Sequence, residues 1–192
     1  NSCSDCEAEC SMGDVNGDLS VDVLDIVQIV ASIINGEIDF EIACSDINAD
    51  GSVDILDIVQ IVDLIFGGRL NDANSANISI GKDALLLSSN GYIGGIQMTL
   101  THSDDFSIEL TKDALVADYN TDDNTTTLIV VNPETANLFT ATGFFTIDEV
   151  LASSDGNSYL NVEMNMPTAY TISDAYPNPF NPSTAIDIAL DT

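Results

Sequence analysis

Two acidic segments of the chain have residue types and a spacing that suit a hard divalent cation. They start at Asp14 and Asp46, and each presents a carboxylate or amide oxygen at positions 1, 3, 5, 9 and 12 of a twelve-residue loop. Calcium takes six to eight oxygen ligands, and alternate positions of a turning loop can all point to one ion. At position 7 the ligand is a backbone carbonyl, so a serine suffices there. The predicted calcium ligands are Asp14, Asn16, Asp18, Ser20, Asp22 and Asp25 in the first loop and Asp46, Asn48, Asp50, Ser52, Asp54 and Asp57 in the second.

The two loops belong to an internal repeat. Residues 46–68 match residues 14–36 at an offset of 32, and 11 of the 16 positions from Val21 to Gly36 are identical to their counterparts. A duplicated ligand spacing argues against a merely solvated acidic turn. The repeat therefore predicts two calcium ions.

Two positions depart from the usual EF-hand calcium loop. Position 12 is Asp in both loops instead of Glu, and its shorter side chain reaches an ion less easily with both oxygens. Position 6 is Gly51 in the second loop but Leu19 in the first, where a positive φ costs a leucine about 1–2 kcal/mol. We therefore predict that the second site binds calcium more tightly.

An amphipathic helix is predicted after each loop. Asp22 and Asp54 are the expected N-caps, each with a second Asp three residues later, and the helices are expected to end at 35–36 and 67–68. Their apolar residues cover more than the roughly 100° stripe that a surface helix needs. One part of this surface can pack the helices together. The remainder must contact either the β region of the chain or a partner.

Residues 10–68 resemble a dockerin module, because two Asp-rich loops are each followed by a single helix. Dockerins are calcium-dependent docking modules whose partners are cohesins, which are β-sandwiches. The resemblance places partner contacts at the helix starts, here Val23, Leu24, Ile55 and Leu56. Because these residues are apolar where many dockerins carry hydroxyl groups, the resemblance implies a docking role without a specific partner.

Four cysteines lie at or before the acidic loops. An even count favours disulfides and an oxidising compartment. Four cysteines allow three pairings, and we favour Cys10–Cys44 with Cys3–Cys6, because Cys10 and Cys44 each precede one loop. A zinc site made by all four thiolates is the alternative, although the spacing lacks two matched Cys-x-x-Cys pairs.

A change of period after the linker 71–76 predicts an antiparallel β-sandwich over 77–166. About seven short apolar runs are separated by polar turns, as is typical of such sandwiches. In the third run Ile96, Met98 and Leu100 are expected to share the buried face. The predicted strands are Asn77–Ile80, Ala84–Ser88, Ile96–Thr101, Phe106–Leu110, Thr126–Val131, Gly143–Val150 and Tyr159–Met164.

Two segments of this region, GYIGGIQMTL (91–100) and ATGFFTIDEV (141–150), resemble cohesin-like sandwiches. A chain that combines a dockerin-like and a cohesin-like half suggests either internal docking or head-to-tail polymerisation.

The last 26 residues (167–192) form a proline-rich tail. AYPNPFNPST (175–184) resembles the start of the C-terminal sorting domains of type IX secretion substrates, which implies export across a bacterial outer membrane. A period-2 strand follows, with Ile186, Ile188 and Leu190 on one face. This strand is expected to pair with an edge of its own sandwich or of a neighbour's sheet. In the second case, deleting residues 183–192 should abolish assembly and leave the monomer folded.

The charge balance limits the possible partners. The chain has 32 acidic and 3 basic residues, a net charge of −29, which repels nucleic acids and anionic membrane surfaces. No apolar run is long enough to span a bilayer. The single histidine, His102, is expected to be structural, and no Ser-His-Asp type constellation is present. Asn77 and Asn124 fit the N-glycosylation pattern.

These observations predict a multidomain α plus β protein, with a two-helix calcium module at 1–70 followed by the sandwich and tail. The first functional hypothesis is a non-enzymatic, secreted calcium-binding protein that self-assembles into a surface filament or layer. The alternative is the docking module of a larger secreted enzyme or adhesin. A small secreted hydrolase or sugar-binding sandwich is a third hypothesis, disfavoured by the lack of Trp and of a catalytic set. Partner identity and assembly symmetry stay open.

Overall fold

The computed structural model describes residues 11–36, 42–67, 71–81, 84–165, 171–172 and 188–189. Its helical part begins with α1 (Val23–Asn35), continues with the single turn α2 (Ile42–Ser45) and ends with α3 (Ile55–Phe66). Both long helices start at the expected N-caps with complete capping boxes, and Gly36 and Gly67 follow them. The predicted positions of both helices are therefore confirmed.

In the part of the chain that the structure describes, nine strands form two facing sheets after the helices. In spatial order the sheets are β4-β7-β2-β1-β9 and β5-β6-β3-β8, and every ladder between these strands is antiparallel except the parallel pair β1–β9. The expected fold class is confirmed. The strands are β1 (Ser75–Ile80), β2 (Ala84–Ser89), β3 (Gly95–His102), β4 (Ser107–Leu110), β5 (Ala114–Asp122), β6 (Thr125–Pro133), β7 (Asn137–Thr142), β8 (Phe145–Ser153) and β9 (Asn161–Asn165).

The described residues contain two apolar cores that share one sheet. The first lies between the two sheets and includes Ile96, Met98 and Leu100, which are fully buried on one face as predicted. The second lies between the helices and the outer face of β5-β6-β3-β8. Ile129 and Val131 of β6 belong to the second core, and the residues that alternate with them belong to the first.

The helix pair packs on the sandwich of the same chain. α1 lies against β5 and β6, and α3 lies against β3, β6 and β8. The apolar surface left over from helix–helix packing is therefore covered in part by the β region. None of the helices in the described part of the chain is long and apolar enough to cross a membrane.

The described residues of the tail pair with one another. β10 (Thr171–Ile172) and β11 (Ile188–Ala189) form a two-stranded antiparallel ladder in which Ile188 pairs with Ile172. Ile186 and Leu190 lie outside the described residues.

Candidate metal centres and the docked helix

The first acidic loop is organised by carboxylates that accept hydrogen bonds from its own backbone. Asp14 accepts from the N–H groups of Asp18 (3.1 Å) and Leu19 (3.0 Å). Asp25 accepts from Val15 (2.8 Å) and from the N-cap Asp22 (2.8 Å). The first and last residues of the predicted ligand set thus close the loop.

The second loop repeats this network at the offset of the sequence repeat. Asp46 accepts from Asp50 (3.1 Å) and Gly51 (2.9 Å). Asp57 accepts from Ile47 (2.7 Å) and from the N-cap Asp54 (3.0 Å). The duplicated sequence therefore folds into two duplicated loops.

The oxygen donors of these loops fit calcium in type and in burial. Asp14, Asp25, Asp54 and Asp57 are at most 9% exposed, and within the described part of the chain their hydrogen bonds come from backbone N–H groups and one tyrosine hydroxyl, not from a basic side chain. Buried carboxylates without a basic partner are usually metal ligands or are fully hydrogen-bonded. Carboxylate, amide and carbonyl oxygens are the donors that calcium prefers.

The same carboxylates are turned towards the backbone in this structure. Among the described residues, no group of three or more His, Cys, Asp or Glu side chains converges on one metal position. Burial raises the pKa of Asp57, and the neighbouring Asp54 carboxylate adds to this, against the lowering effect of three backbone N–H donors. The loops thus contain the oxygen donors that calcium requires. A bound ion would have to bring these donors into one coordination sphere.

Each loop contains two residues with positive φ, and one of the two is not glycine. Position 6 has φ 74° at Leu19 and 91° at Gly51, which confirms the predicted strain in the first loop. Position 4 shows the opposite arrangement, with φ 73° at Gly17 and 57° at Ala49. The positive φ of Ala49 had no signal in the sequence, because only position 6 of such loops has a known glycine preference.

The start of α3 packs against a part of the sandwich that is lined by glycines. A Cβ atom at Gly95 would lie 2.6 Å from Ile55 Cδ1, and one at Gly94 would lie 2.5 Å from Val59 Cγ1. Ile55 and Val59 are fully buried, and Leu56 is 5% exposed. Two of the predicted partner-binding residues, Ile55 and Leu56, therefore lie inside the chain.

The corresponding face of α1 is open. Leu24 is 61% exposed and Val27 45% exposed, whereas their counterparts Leu56 and Val59 are buried. Val23 is half-buried. The two halves of the repeat thus share a sequence pattern but differ in whether the sandwich covers this helix face.

The loop between β8 and β9 contacts both α3 and the second acidic loop. Gln60 donates from Nε2 to the carbonyl of Gly156 (2.9 Å). Tyr159 donates its hydroxyl hydrogen to Asp54 Oδ2, and burial together with this carboxylate raises the pKa of Tyr159. No sequence signal identified Tyr159 as part of a candidate site.

Cys44 and His102 have structural surroundings. Cys44 is buried and disulfide-bonded, while Cys3, Cys6 and Cys10 lie outside the described residues, so the Cys10–Cys44 and Cys3–Cys6 pairings stay predictions. His102 stacks on Phe106 with 4.2 Å between ring centroids. Its ring nitrogens contact the Ser103 carbonyl (3.1 Å) and the Thr126 hydroxyl (2.9 Å).

Comparison with known proteins gives a family match for the helical part. Residues 12–66 match the dockerin type I domain. The match lies inside the segment predicted to be dockerin-like and confirms that resemblance. Dockerin type I domains are generally calcium-binding and occur in extracellular or cell-surface proteins.

The chain is also similar to a solved structure, the non-cellulosomal cohesin from the hyperthermophilic archaeon Archaeoglobus fulgidus. The identity is 12% and the TM-score 0.36, and the similarity covers 48% of this chain and 86% of the cohesin. No curated protein sequence matches the chain.

Proposed function

We propose that this chain is a secreted, non-enzymatic calcium-binding protein that assembles with further copies of itself outside the cell. The observation that carries the proposal is the difference between the two halves of the dockerin-like repeat. The face of α3 at Leu56 and Val59 is covered by the chain's own sandwich, and the equivalent face of α1 at Leu24 and Val27 is apolar and exposed. A second sandwich can use the face that the first leaves open.

Two calcium ions are proposed to fold the loops that hold these helices. The support is the duplicated set of oxygen donors, its burial without basic partners among the residues that the structure describes, and the match to a generally calcium-binding domain. Secretion is supported by the disulfide at Cys44 and by the places in which dockerin domains occur.

Contact between copies has to be apolar, because their charges repel. Each copy has a net charge of −29 and only three basic residues, so no basic surface is available to meet the acidic one. An exposed apolar helix face is the kind of surface that marks a protein interaction site.

An apolar cavity among the described residues is the proposed receiving surface for the helix face of another copy. The cavity has a volume of about 220 Å³, and Phe144 at its rim is 72% exposed. The helix face and the cavity are different surfaces, so the contact is head-to-tail and repeats from copy to copy, as in a filament. The apolar side chains that line the cavity are Ile80, Ala84, Phe139, Ala141, Phe144 and Phe145.

The first experiment compares two leucines of equal exposure. Leu24 and Leu64 are both 61% exposed, but only Leu24 lies on the open docking face. In millimolar calcium, light scattering of the full chain should show large assemblies for the wild type and for Leu64→Glu, and monomers for Leu24→Glu. Equal scattering from both variants would contradict the assignment of the docking face.

A mixing experiment tests the head-to-tail geometry. Leu24→Glu removes the helix face and keeps the cavity, whereas Phe144→Ser damages the cavity and keeps the helix face. Each variant alone should be monomeric, and an equimolar mixture should form dimers and no larger species. A mixture that stays monomeric would contradict the proposal that the cavity receives the helix face.

A wild-type chain that stays monomeric in calcium would favour the alternative function. The chain would then be the docking module of a larger secreted enzyme or adhesin, and the α1 face would bind a different protein, such as a cohesin-like sandwich.

A further inference from the structure

A tyrosine of the sandwich is hydrogen-bonded to a predicted calcium ligand. We infer that Tyr159 is a positioning residue of the second calcium site and that it makes this site tighter than the first. The inference rests on the proposed calcium binding. It adds a residue that lies outside both acidic loops and outside the segment that matches the dockerin domain, which ends at residue 66.

The contact fixes the orientation of Asp54, position 9 of the second loop. The Asp54 carboxylate accepts from Leu56 N–H on Oδ1 (2.8 Å) and from the Tyr159 hydroxyl on Oδ2. Each carboxylate oxygen has further lone pairs, so both can accept these bonds and still face an ion or an ion-bound water. In calcium loops of this type, position 9 often acts through such a water.

The first loop lacks this support among the described contacts. Asp22, the counterpart of Asp54, accepts from Leu24 N–H on Oδ1 (2.8 Å), and no side-chain hydroxyl of the described residues donates to its second oxygen. Asp22 is half-buried, whereas Asp54 is 9% exposed. Two loops of nearly identical sequence therefore differ in what holds position 9.

Tyr159 is itself held in place by the loop between β8 and β9. The Ser153 hydroxyl donates to the carbonyl of Ser158 and accepts from Gly156 N–H, both at 2.9 Å. On the other side of the tyrosine, Leu160 N–H donates to Ala152 (2.8 Å). The hydroxyl thus reaches Asp54 from an anchored segment, and little ordering is needed when calcium binds.

An outer-shell hydrogen bond of this kind orients a ligand and typically changes metal affinity by 10–100-fold. Binding free energies are reciprocal, so calcium at the second site also strengthens the contact between Tyr159 and the helical module. Tyr159→Phe removes the hydroxyl and keeps the aromatic ring, which makes it the informative variant.

The test measures calcium affinity by titration calorimetry of the full chain in two single-site backgrounds. Asp14→Ala disables the first loop and Asp46→Ala the second. In the Asp14→Ala background, Tyr159→Phe should weaken calcium binding by about 10-fold. In the Asp46→Ala background it should change nothing. Tyr119→Phe is the matched control, because Tyr119 is 41% exposed on β5, at the edge of the sheet opposite β8.

Other outcomes separate the possible errors. An unchanged or tighter second site in Tyr159→Phe overturns the inference, the tighter case meaning that the hydroxyl competes with the ion. Equal weakening of both sites, with a lower melting temperature of the calcium-free protein, assigns Tyr159 a structural role only and also overturns it. If neither background binds calcium while the chain without substitutions also fails to bind, the proposed calcium function itself is wrong.

Discussion

Ile55 of α3 lies so close to Gly95 of β3 that the sandwich has no room for a side chain at that position. A Cβ atom at Gly95 would be 2.6 Å from Ile55 Cδ1 and 3.2 Å from Val59 Cγ2. Because both neighbours belong to the helix, the absence of a side chain on the strand sets how near α3 can come to the sheet. Gly95 therefore belongs to the surface of the sandwich on which α3 packs, although it has no functional group.

Substitution of Gly95 should loosen the docked helix. Gly95→Ala forces the end of the fully buried Ile55 side chain to move, and overpacking of this kind costs about 1–3 kcal/mol. We expect a lower free energy of unfolding in calcium, measured by denaturant titration. Gly81→Ala is the control, since a Cβ there would lie 3.4 Å from its nearest neighbour, an ordinary contact, and no positive φ is needed. Equal destabilisation by both variants would contradict the seating of α3 on Gly95.

Removing the non-glycine residues with positive φ should stabilise each loop separately. Leu19 (φ 74°) is 90% exposed, so Leu19→Gly loses no packing and relieves about 1–2 kcal/mol of backbone strain. Part of this gain is offset by the greater freedom of glycine in the unfolded chain, which leaves about 0.5–1 kcal/mol.

Ala49→Gly should give a similar gain in the second loop, where Ala49 has φ 57°. The measurement is the calcium-loaded melting temperature of each variant, followed by site affinities. If Leu19→Gly alone brought the first site to the affinity of the second, strain would explain the ranking and Tyr159 would not. The expected outcome is that a difference persists.

The sequence predicts the helical module well because its signals are local. Asp22 and Asp54 cap helices by bonds within three residues, and glycine ends them, so no distant contact has to be known. The strands β5 and β7 were missed. β5 (Ala114–Asp122) alternates poorly, because it lies at a sheet edge with α1 against it. β7 (Asn137–Thr142) is a short run between turns.

The strand β6 carries a sequence signal for the packing of the helices on the sheet. Leu128, Ile129, Val130 and Val131 form a continuous apolar run, which is typical of a strand covered on both faces. The different roles of Leu24 and Leu56 had no such signal, because their local sequences are nearly identical. Their exposure is decided by residues far along the chain, such as Gly95 and Gly156, and only the fold brings those residues near.

Calcium removal should expose the outer face of the sandwich. The acidic loops hold buried carboxylates, and without a cation their repulsion opposes the folding of α1 and α3. A chelator should reduce the helical signal in circular dichroism and increase the fluorescence of a dye that binds apolar surface, while the β signal persists. The dye should bind at Ile129 and Val131, both fully buried by the helices in the described structure.

The variant Ile129→Ser with Val131→Thr is the control for the chelation experiment. It should bind less dye after chelation than the wild type, because the exposed face is more polar. Calcium-dependent folding would be refuted if saturating chelator left the helical signal, dye binding and melting temperature of the wild-type protein unchanged.

Salt should promote assembly of this chain, because its copies repel one another through a net charge of −29. The screening length falls from about 30 Å at 0.01 M salt to about 8 Å at 0.15 M, so repulsion between approaching copies weakens while apolar contact at Leu24 is kept. Light scattering in constant calcium should therefore rise as sodium chloride is added over this range. Leu24→Glu should stay monomeric throughout, since screening cannot restore the lost apolar contact. Scattering that falls as salt is added would indicate an interface built from opposite charges. This result would contradict the apolar contact proposed at α1.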